Sequence, residues 1–154
     1  INELTQRYGG ERYVIVRLHP NISDLDGQIS YTSRIINGSL LPQIYELICM
    51  CDFLISDYSG VIFDGYRLQK KVLLYASDLA KYISEERHLY FDFNSLPSPI
   101  AKSNSQLMNI IREFDENSYE IERNRFVEKL GYYNYDAAEE IVNIINSVME
   151  GEGK

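Results

Sequence analysis

Apolar residues occur along this chain in two patterns, short unbroken runs and longer stretches with helical spacing. The runs cover residues 13–18, where only Arg17 interrupts the apolar residues, and the unbroken stretches 53–55 and 72–75, and they are rich in β-branched and aromatic residues. Such runs predict strands that are buried on both faces, as in a parallel sheet. A further short strand is predicted around Ile35 and Ile36, within an otherwise polar and irregular stretch.

Helical spacing predicts a helix on each side of the run at 53–55. The first carries its apolar residues on one stripe: Leu40, Ile44, Leu47, Ile48 and Cys51. Ser39 is the predicted N-cap of this helix, and Pro42 is compatible with its first turn. The second helix is predicted from about Gly60 to Leu68.

Helices also dominate the second half of the chain. Ser103 and Gln106 have the spacing of a capping box at the start of one helix. The predicted buried face of that helix consists of Leu107, Ile110, Ile111 and Phe114. A charged helix near 116–130 stops at Gly131, and a last helix carries apolar residues on one side: Ala137, Ile141, Ile144, Ile145 and Val148.

The order of these elements is strand, helix, strand, helix, strand and then several helices. Strands that alternate with helices and read as unbroken apolar blocks predict a parallel sheet with right-handed crossovers. The expected fold class is therefore α/β, a doubly wound parallel sheet of the Rossmann-like kind. Because 154 residues suffice for one ordinary core, residues 1–154 are expected to form one domain. The first ten residues read as the end of a helix before a Gly-Gly stop, which suggests a piece of a longer protein.

Composition and charge restrict the function classes. No apolar run approaches the roughly 20 residues that span a bilayer. The net charge of −8 argues against a general nucleic-acid surface, which needs a dense basic face. The only cysteines, Cys49 and Cys51, sit two apart on a predicted helix, so they favour packing over metal or redox chemistry. An anion-binding site here must use local devices, such as backbone N–H groups or a helix N-terminus.

The segment "FLISDYSGVIFDGY" contains such a device, because a polar corner separates a buried strand from a helix. In an open parallel sheet, ligands bind beyond the carboxyl ends of the strands. Ser59 is the predicted cap of the following helix, so the N–H groups near Gly60 and Val61 are expected to face the crevice, where they can hold phosphate. The alternative is an ordinary strand-to-helix turn with a serine cap.

His19 ends the first strand in "RLHP", on the same predicted edge of the sheet. An imidazole there can donate to a phosphate oxygen or take part in proton transfer near neutral pH. The alternative for a lone histidine is a structural role.

Taken together, "VRLHP", "LICMCDFLISDYSGVIFDG", "KKVLLYASDLAKY" and "LYFDFNSLPSPIAK" resemble the C-terminal half of the CDP-glycerol glycerophosphotransferase family of teichoic acid biosynthesis. The resemblance implies a GT-B-type transferase in which this half binds a CDP-glycerol-like donor. It implies that His19 acts at the donor diphosphate and that Asp57, Tyr58 and Ser59 line the diphosphate site. Asp64 matches an acidic family position, where it either reaches a ligand hydroxyl or solvates its helix.

The resemblance also implies partners and a location. The acceptor, a polymer or a lipid-linked molecule, is expected to bind through a missing N-terminal half that supplies the base, so the isolated chain should be inactive. The enzyme would be cytoplasmic and peripheral at the inner face of a bacterial membrane. No cofactor and no dedicated metal site are expected, although a diphosphate can bring Mg²⁺ with it.

Two departures from the family pattern stand out. Gly60 replaces a second serine, which removes a hydroxyl donor but keeps the backbone donor. In "NYDAAEEIV", Asp136 matches the family's late motif, but Ala137 replaces its glycine and the basic residue is missing. Glu139 and Glu140 would repel a phosphate there, so either the donor sits differently or the activity has changed.

Weaker candidates are His88 near the crevice, three tyrosines that could stack on cytosine (Tyr132, Tyr133 and Tyr135), and the loop "FNSLPSP". Two other functions stay open. One is the donor half of a nucleotide-sugar glycosyltransferase of the GT-B type, and the other is a non-catalytic flavodoxin-like assembly module.

Overall fold

The named strands of the computed structural model are short, and they pair in parallel. The structure describes residues 1–19, 22, 26–79, 81–82, 91–131 and 137–151. The strands are β1 (Val14–Val16), β2 (Ile35–Asn37), β3 (Phe53–Ser56), β4 (Lys71–Tyr75) and β5 (Ile100–Ala101). Backbone hydrogen bonds join them into two ladders, β1–β2 and β3–β4–β5.

The helices lie between and after the strands. They are α1 (Asn2–Tyr8), α2 (Ile44–Met50), α3 (Val61–Arg67), α4 (Asn104–Glu113), α5 (Glu116–Lys129) and α6 (Ala137–Gly151). A 3-10 turn, Phe93–Ser95, precedes β5. No helix of the described ranges is long and apolar enough to cross a membrane.

The central strand β4 separates two apolar cores. Successive side chains of a strand point to opposite faces. Val72 and Leu74 therefore pack with residues of α3, among them Ile62 and Tyr66. Leu73 points the other way, into a core with α4 and α5 that includes Ile111, Phe114 and Tyr119. Helices thus cover both faces of the sheet, as the doubly wound prediction requires.

The amino ends of the two ladders lie next to each other. Arg12, just before β1, forms an ion pair at 2.9 Å with Asp52, just before β3. The Lys70 ammonium, just before β4, donates to the Cys49 carbonyl at 2.6 Å. The end of α2 therefore lies at the amino edge, and the carboxyl ends of the strands point away from it.

The predicted start of the first inter-strand helix was wrong. Helix α2 begins at Ile44 with Gln43 as N-cap, and Leu40 is 83% exposed. Leu41 precedes a proline, which disfavours the helical conformation at that position. Ser39 has a different task, because its hydroxyl accepts the Leu18 N–H at 3.0 Å.

The capping box at α4 is confirmed. The Ser103 hydroxyl accepts the Gln106 N–H at 3.3 Å, and the Gln106 side chain accepts the Lys102 N–H at 2.7 Å. The predicted face of this helix packs into the core of Leu73, with Ile111 and Phe114 fully buried.

The last helix is confirmed as α6, but its apolar side is open. Ile141, Ile144, Ile145 and Val148 are between 51% and 57% exposed. The predicted stripe therefore exists without contributing to either core.

Candidate functional site

The corner between β3 and α3 satisfies several of its own amides. The Asp57 carboxylate accepts the Ser59 N–H at 3.2 Å, and the Ser59 hydroxyl accepts the Val61 N–H at 3.4 Å. The next amides are also engaged, since Ile62 donates to the Ser59 carbonyl at 3.3 Å. The side chains of Asp57 and Ser59 thus stabilise the turn by accepting hydrogen bonds from its own backbone.

The sequence prediction for this corner was wrong in two details. The N-cap is Gly60 rather than Ser59, and the Val61 N–H is not free for a ligand, because Ser59 already accepts it. Gly60 has ordinary helical dihedrals, φ −59° and ψ −15°, and its N–H makes no hydrogen bond with the described residues. A Cβ built on Gly60 would meet no described atom within 4 Å. The exposed Gly60 N–H is therefore an open donor at the start of α3.

Tyr58 anchors the corner to the loop after β4. Its hydroxyl donates to the Asp78 carboxylate at 2.6 Å. Its ring stacks on Tyr82 with centroids 3.9 Å apart and also contacts Phe93 at 5.5 Å. Desolvation of the ring, followed by the Asp78 carboxylate, raises the pKa of Tyr58. Tyr58 therefore stays protonated as a donor at neutral pH.

Asp78 was missed by sequence reasoning. A signal did exist, because Asp78 follows β4 just as Asp57 follows β3, and polar residues at carboxyl ends of parallel strands line the ligand crevice. Its partner Tyr58 could not be read from the sequence, since the two lie twenty residues apart on different loops.

Asp64 lies half-buried in the first turn of α3. Its carboxylate forms no hydrogen bond or ion pair with the part of the chain that the structure describes. The acidic group is therefore available to a ligand hydroxyl, and its role stays a prediction.

The turn that carries His19 is tied to the segment after β2. Arg17, which the sequence patterns gave no reason to single out, donates to the Gly38 carbonyl at 3.0 Å and also to the Leu41 carbonyl. The Leu18 N–H bonds to Ser39, as described above. His19 itself is exposed, and its carbonyl accepts the Ile22 N–H at 2.9 Å. Its backbone is thus held from both sides.

His19 and the Gly60 corner follow the carboxyl ends of β1 and β3. The amino ends of these strands are joined by Arg12 and Asp52, and every named strand is parallel to its ladder neighbours. This arrangement is consistent with the predicted common edge.

Several predicted residues lie outside the described residues: Asp136, His88, Tyr132, Tyr133 and Tyr135. The described ranges contain no group of three or more His, Cys, Asp or Glu side chains that could hold a metal ion. Cys49 is exposed, contrary to its predicted packing role, whereas Cys51 is half-buried and both are free thiols.

A separate groove of about 780 Å³ lies between the segment before β5 and helices α4 and α5. Its lining includes Lys102, Glu113 and Glu122 but none of the corner residues.

Comparison with known proteins decides the family. The family model for CDP-glycerol:poly(glycerophosphate) glycerophosphotransferases matches residues 1–150. The chain belongs to this family. The predicted resemblance is therefore confirmed.

Relatives agree with the family model. The teichoic acid poly(glycerol phosphate) polymerase of Bacillus subtilis is 27% identical over 155 residues, which is 99% of this chain and 20% of the polymerase. The teichoic acid glycerol-phosphate transferase of Staphylococcus aureus is 30% identical over 78% of this chain and 31% of its own length. The chain thus spans about a fifth to a third of these relatives.

The fold has a match among solved structures. The wall teichoic acid polymerase TagF aligns with the whole chain at a TM-score of 0.70 and 25% identity, and the match covers 39% of the TagF chain. The predicted α/β class with parallel strands is confirmed by this match.

Proposed function

We propose that this chain binds the donor in a transferase that moves glycerol phosphate, or a similar alcohol phosphate, from a CDP-alcohol to a teichoic-acid-type or lipid-linked acceptor. The observation that carries the proposal is the family match over residues 1–150, together with the open donor at the Gly60 corner. Residues 1–154 would form the donor-binding domain of a longer, two-domain enzyme of the GT-B type.

The chemistry would be phosphoryl transfer. An acceptor hydroxyl attacks the phosphorus that carries the alcohol, the diphosphate bond breaks, and CMP leaves with the bridging oxygen. Such a reaction depends mainly on positioning and on stabilisation of charge. The Gly60 N–H and His19 would bind the diphosphate oxygens and stabilise the charge that develops there.

An anionic donor can bind to this acidic chain only through local donors. The net charge of −8 produces a repulsive field that the site must overcome at short range. A backbone N–H at the first turn of a helix adds the positive end of the helix dipole without a basic side chain. Here the exposed Gly60 N–H supplies that donor and leaves room for a phosphate.

The rest of the enzyme would bind the acceptor and supply its base. We place this enzyme in the cytoplasm, peripheral at the inner face of a bacterial membrane, where lipid-linked acceptors are available. The relatives' names, teichoic acid polymerases and transferases, support the proposed reaction class.

Titration calorimetry of the 154-residue chain with CDP-glycerol and with a UDP-sugar tests the proposal. We expect saturable but weak CDP-glycerol binding, weaker UDP-sugar binding and no transfer to an acceptor by the chain alone. His19→Ala should weaken CDP-glycerol binding several-fold, because it removes one of two phosphate donors. Preference for the UDP-sugar would point to a glycosyltransferase, and an intact fold that binds neither nucleotide would point to an assembly module.

A further inference from the structure

We propose that Asp78 is a positioning residue for the donor site, holding the corner of residues 57–60 in place through the hydroxyl of Tyr58. This inference rests on the proposed function for its consequence, but the anchoring itself is testable without a ligand. Asp78 follows β4, whereas the corner follows β3, so the contact links two neighbouring carboxyl ends of the sheet.

The hydrogen bond is short and charge-assisted. The Tyr58 hydroxyl and the Asp78 carboxylate are 2.6 Å apart, and bonds to an ionised acceptor are about twice as strong as neutral ones. The bonds that Asp57 and Ser59 make stay within the corner itself. Among the described residues, Tyr58 is therefore the corner side chain that hydrogen-bonds to another loop.

Asp78 supports the same ring a second time through its backbone. Its carbonyl accepts the Tyr82 N–H at 3.0 Å, which starts a helical turn. That turn carries the Tyr82 ring, which stacks on Tyr58 at 3.9 Å with an interplanar angle of 15°. One residue thus holds the Tyr58 hydroxyl directly and positions the ring that packs on its face.

The position of Tyr58 determines the position of Gly60, because only Ser59 separates them. A donor N–H must lie close to the phosphate oxygen that it binds, and a misplacement of about 1 Å is costly. Losing the Asp78 contact should therefore impair donor binding more than it impairs folding, since both groups of the hydrogen bond are exposed.

The first test is hydrogen exchange of the corner amides in the ligand-free chain. Asp78→Ala and Tyr58→Phe should each raise the exchange rates of the Ser59 and Val61 amides at least tenfold, whereas core amides of β4 should not change. Tyr13→Phe is the matched control, because the Tyr13 hydroxyl also donates to a carboxylate, Glu11, at 2.9 Å but lies before β1 at the opposite edge. Unchanged corner exchange in Asp78→Ala would overturn the anchoring.

The second test is a double-mutant cycle in CDP-glycerol affinity. Tyr58→Phe and Asp78→Asn should each raise the Kd for CDP-glycerol roughly three- to tenfold. The Kd of the double variant should not exceed the higher of the two single-variant values. This non-additivity is the signature of action through Tyr58, and a merely structural role would move the unfolding midpoint instead.

The other possible results of these two tests also bear on the positioning role of Asp78. If the effects on Kd multiply, Asp78 contacts the donor by itself and the positioning role is wrong. If corner exchange accelerates but Kd does not change, the anchor exists without serving the donor site, which also overturns the proposal. If the wild-type chain binds no CDP-glycerol, the proposed function fails, and the exchange experiment still shows whether Asp78 holds the corner.

Discussion

At the scale of single residues, two glycines of α3 and its cap differ in what surrounds them. A Cβ at Gly65 would lie 2.8 Å from side-chain atoms of both Leu54 and Val72. A Cβ at Gly60 would meet nothing within 4 Å of the described structure, and the backbone there suits any residue. Gly65 is therefore required by packing, whereas Gly60 is required, if at all, by a ligand.

Gly65→Ala should destabilise the chain by about 1–3 kcal/mol, because the extra methyl group pushes α3 away from β3 and β4. Val72 is fully buried and branched, so it cannot easily move aside. Urea unfolding at neutral pH measures the difference. A loss below about 0.5 kcal/mol would show that Leu54 and Val72 can move aside for the methyl group at little cost.

Gly60→Ala should change the free energy of unfolding by less than about 0.5 kcal/mol, since the new methyl group meets no described atom and the dihedrals are helical. The same variant should raise the Kd for CDP-glycerol about tenfold, because the methyl group occupies the space over the open N–H. Urea unfolding and titration calorimetry on the same preparation measure the change in unfolding free energy and the change in Kd. An unchanged Kd would place the phosphate elsewhere.

At the level of helices and strands, the sequence predicted the elements that depend on interactions between residues close together in the chain. The strands at β3 and β4 and the capped helix α4 follow from apolar runs and a capping box, and the structure has all three. The start of α2 was missed because Ser39 bonds to Leu18, a partner twenty-one residues away. The two-residue strand β5 was missed because it follows Pro97 and Pro99 and exists only through pairing with β4.

One tyrosine hydroxyl of α5 bonds to the backbone at the start of β4, in addition to the ion pair of Lys71 with Glu116 at 2.6 Å. Tyr119 donates to the Lys70 carbonyl and accepts the Val72 N–H, each at 2.8 Å. Tyr119→Phe would leave the buried Val72 N–H without a partner and should cost about 1–3 kcal/mol of unfolding free energy.

Tyr75→Phe is the control for that substitution. It removes an exposed bond to Asn104 at 3.0 Å and should cost less than about 1 kcal/mol. If urea unfolding shows equal losses of unfolding free energy in the two variants, the buried Tyr119 hydroxyl stabilises the chain no more than an exposed one.

For the molecule as a whole, the buried tyrosines should make the free energy of unfolding fall at alkaline pH. Burial raises the pKa of Tyr66 and of Tyr119 above the ordinary value near 10. The unfolded chain then releases these protons at a lower pH than the folded chain does. Their contribution is complete below about pH 10 and is lost as pH rises toward the folded pKa values, at up to about 1.4 kcal/mol per pH unit for each group.

Urea unfolding should therefore show a stability that falls above about pH 10, with a smaller slope in Tyr66→Phe. Tyr45→Phe, at an exposed tyrosine, is the control for the substitution itself. Equal slopes in all three proteins would show that burial of Tyr66 does not shift its titration.

The proposed donor site depends on phosphate binding at the Gly60 amide. The sequence predicts donors near Gly60 and Val61 at this edge of the sheet, but not which of the two stays open, because Ser59 takes the Val61 N–H only in the folded turn. Family membership supports the proposed donor class, and the Gly60 N–H is the proposed contact atom.

The most direct measurement is a titration of the ¹⁵N-labelled chain with CDP-glycerol, followed by amide resonances. We expect the Gly60 amide resonance to shift saturably, while amide resonances of the separate groove, such as those of Asn109 and Ser118, do not shift. A saturable shift in the groove with Gly60 unmoved would contradict it.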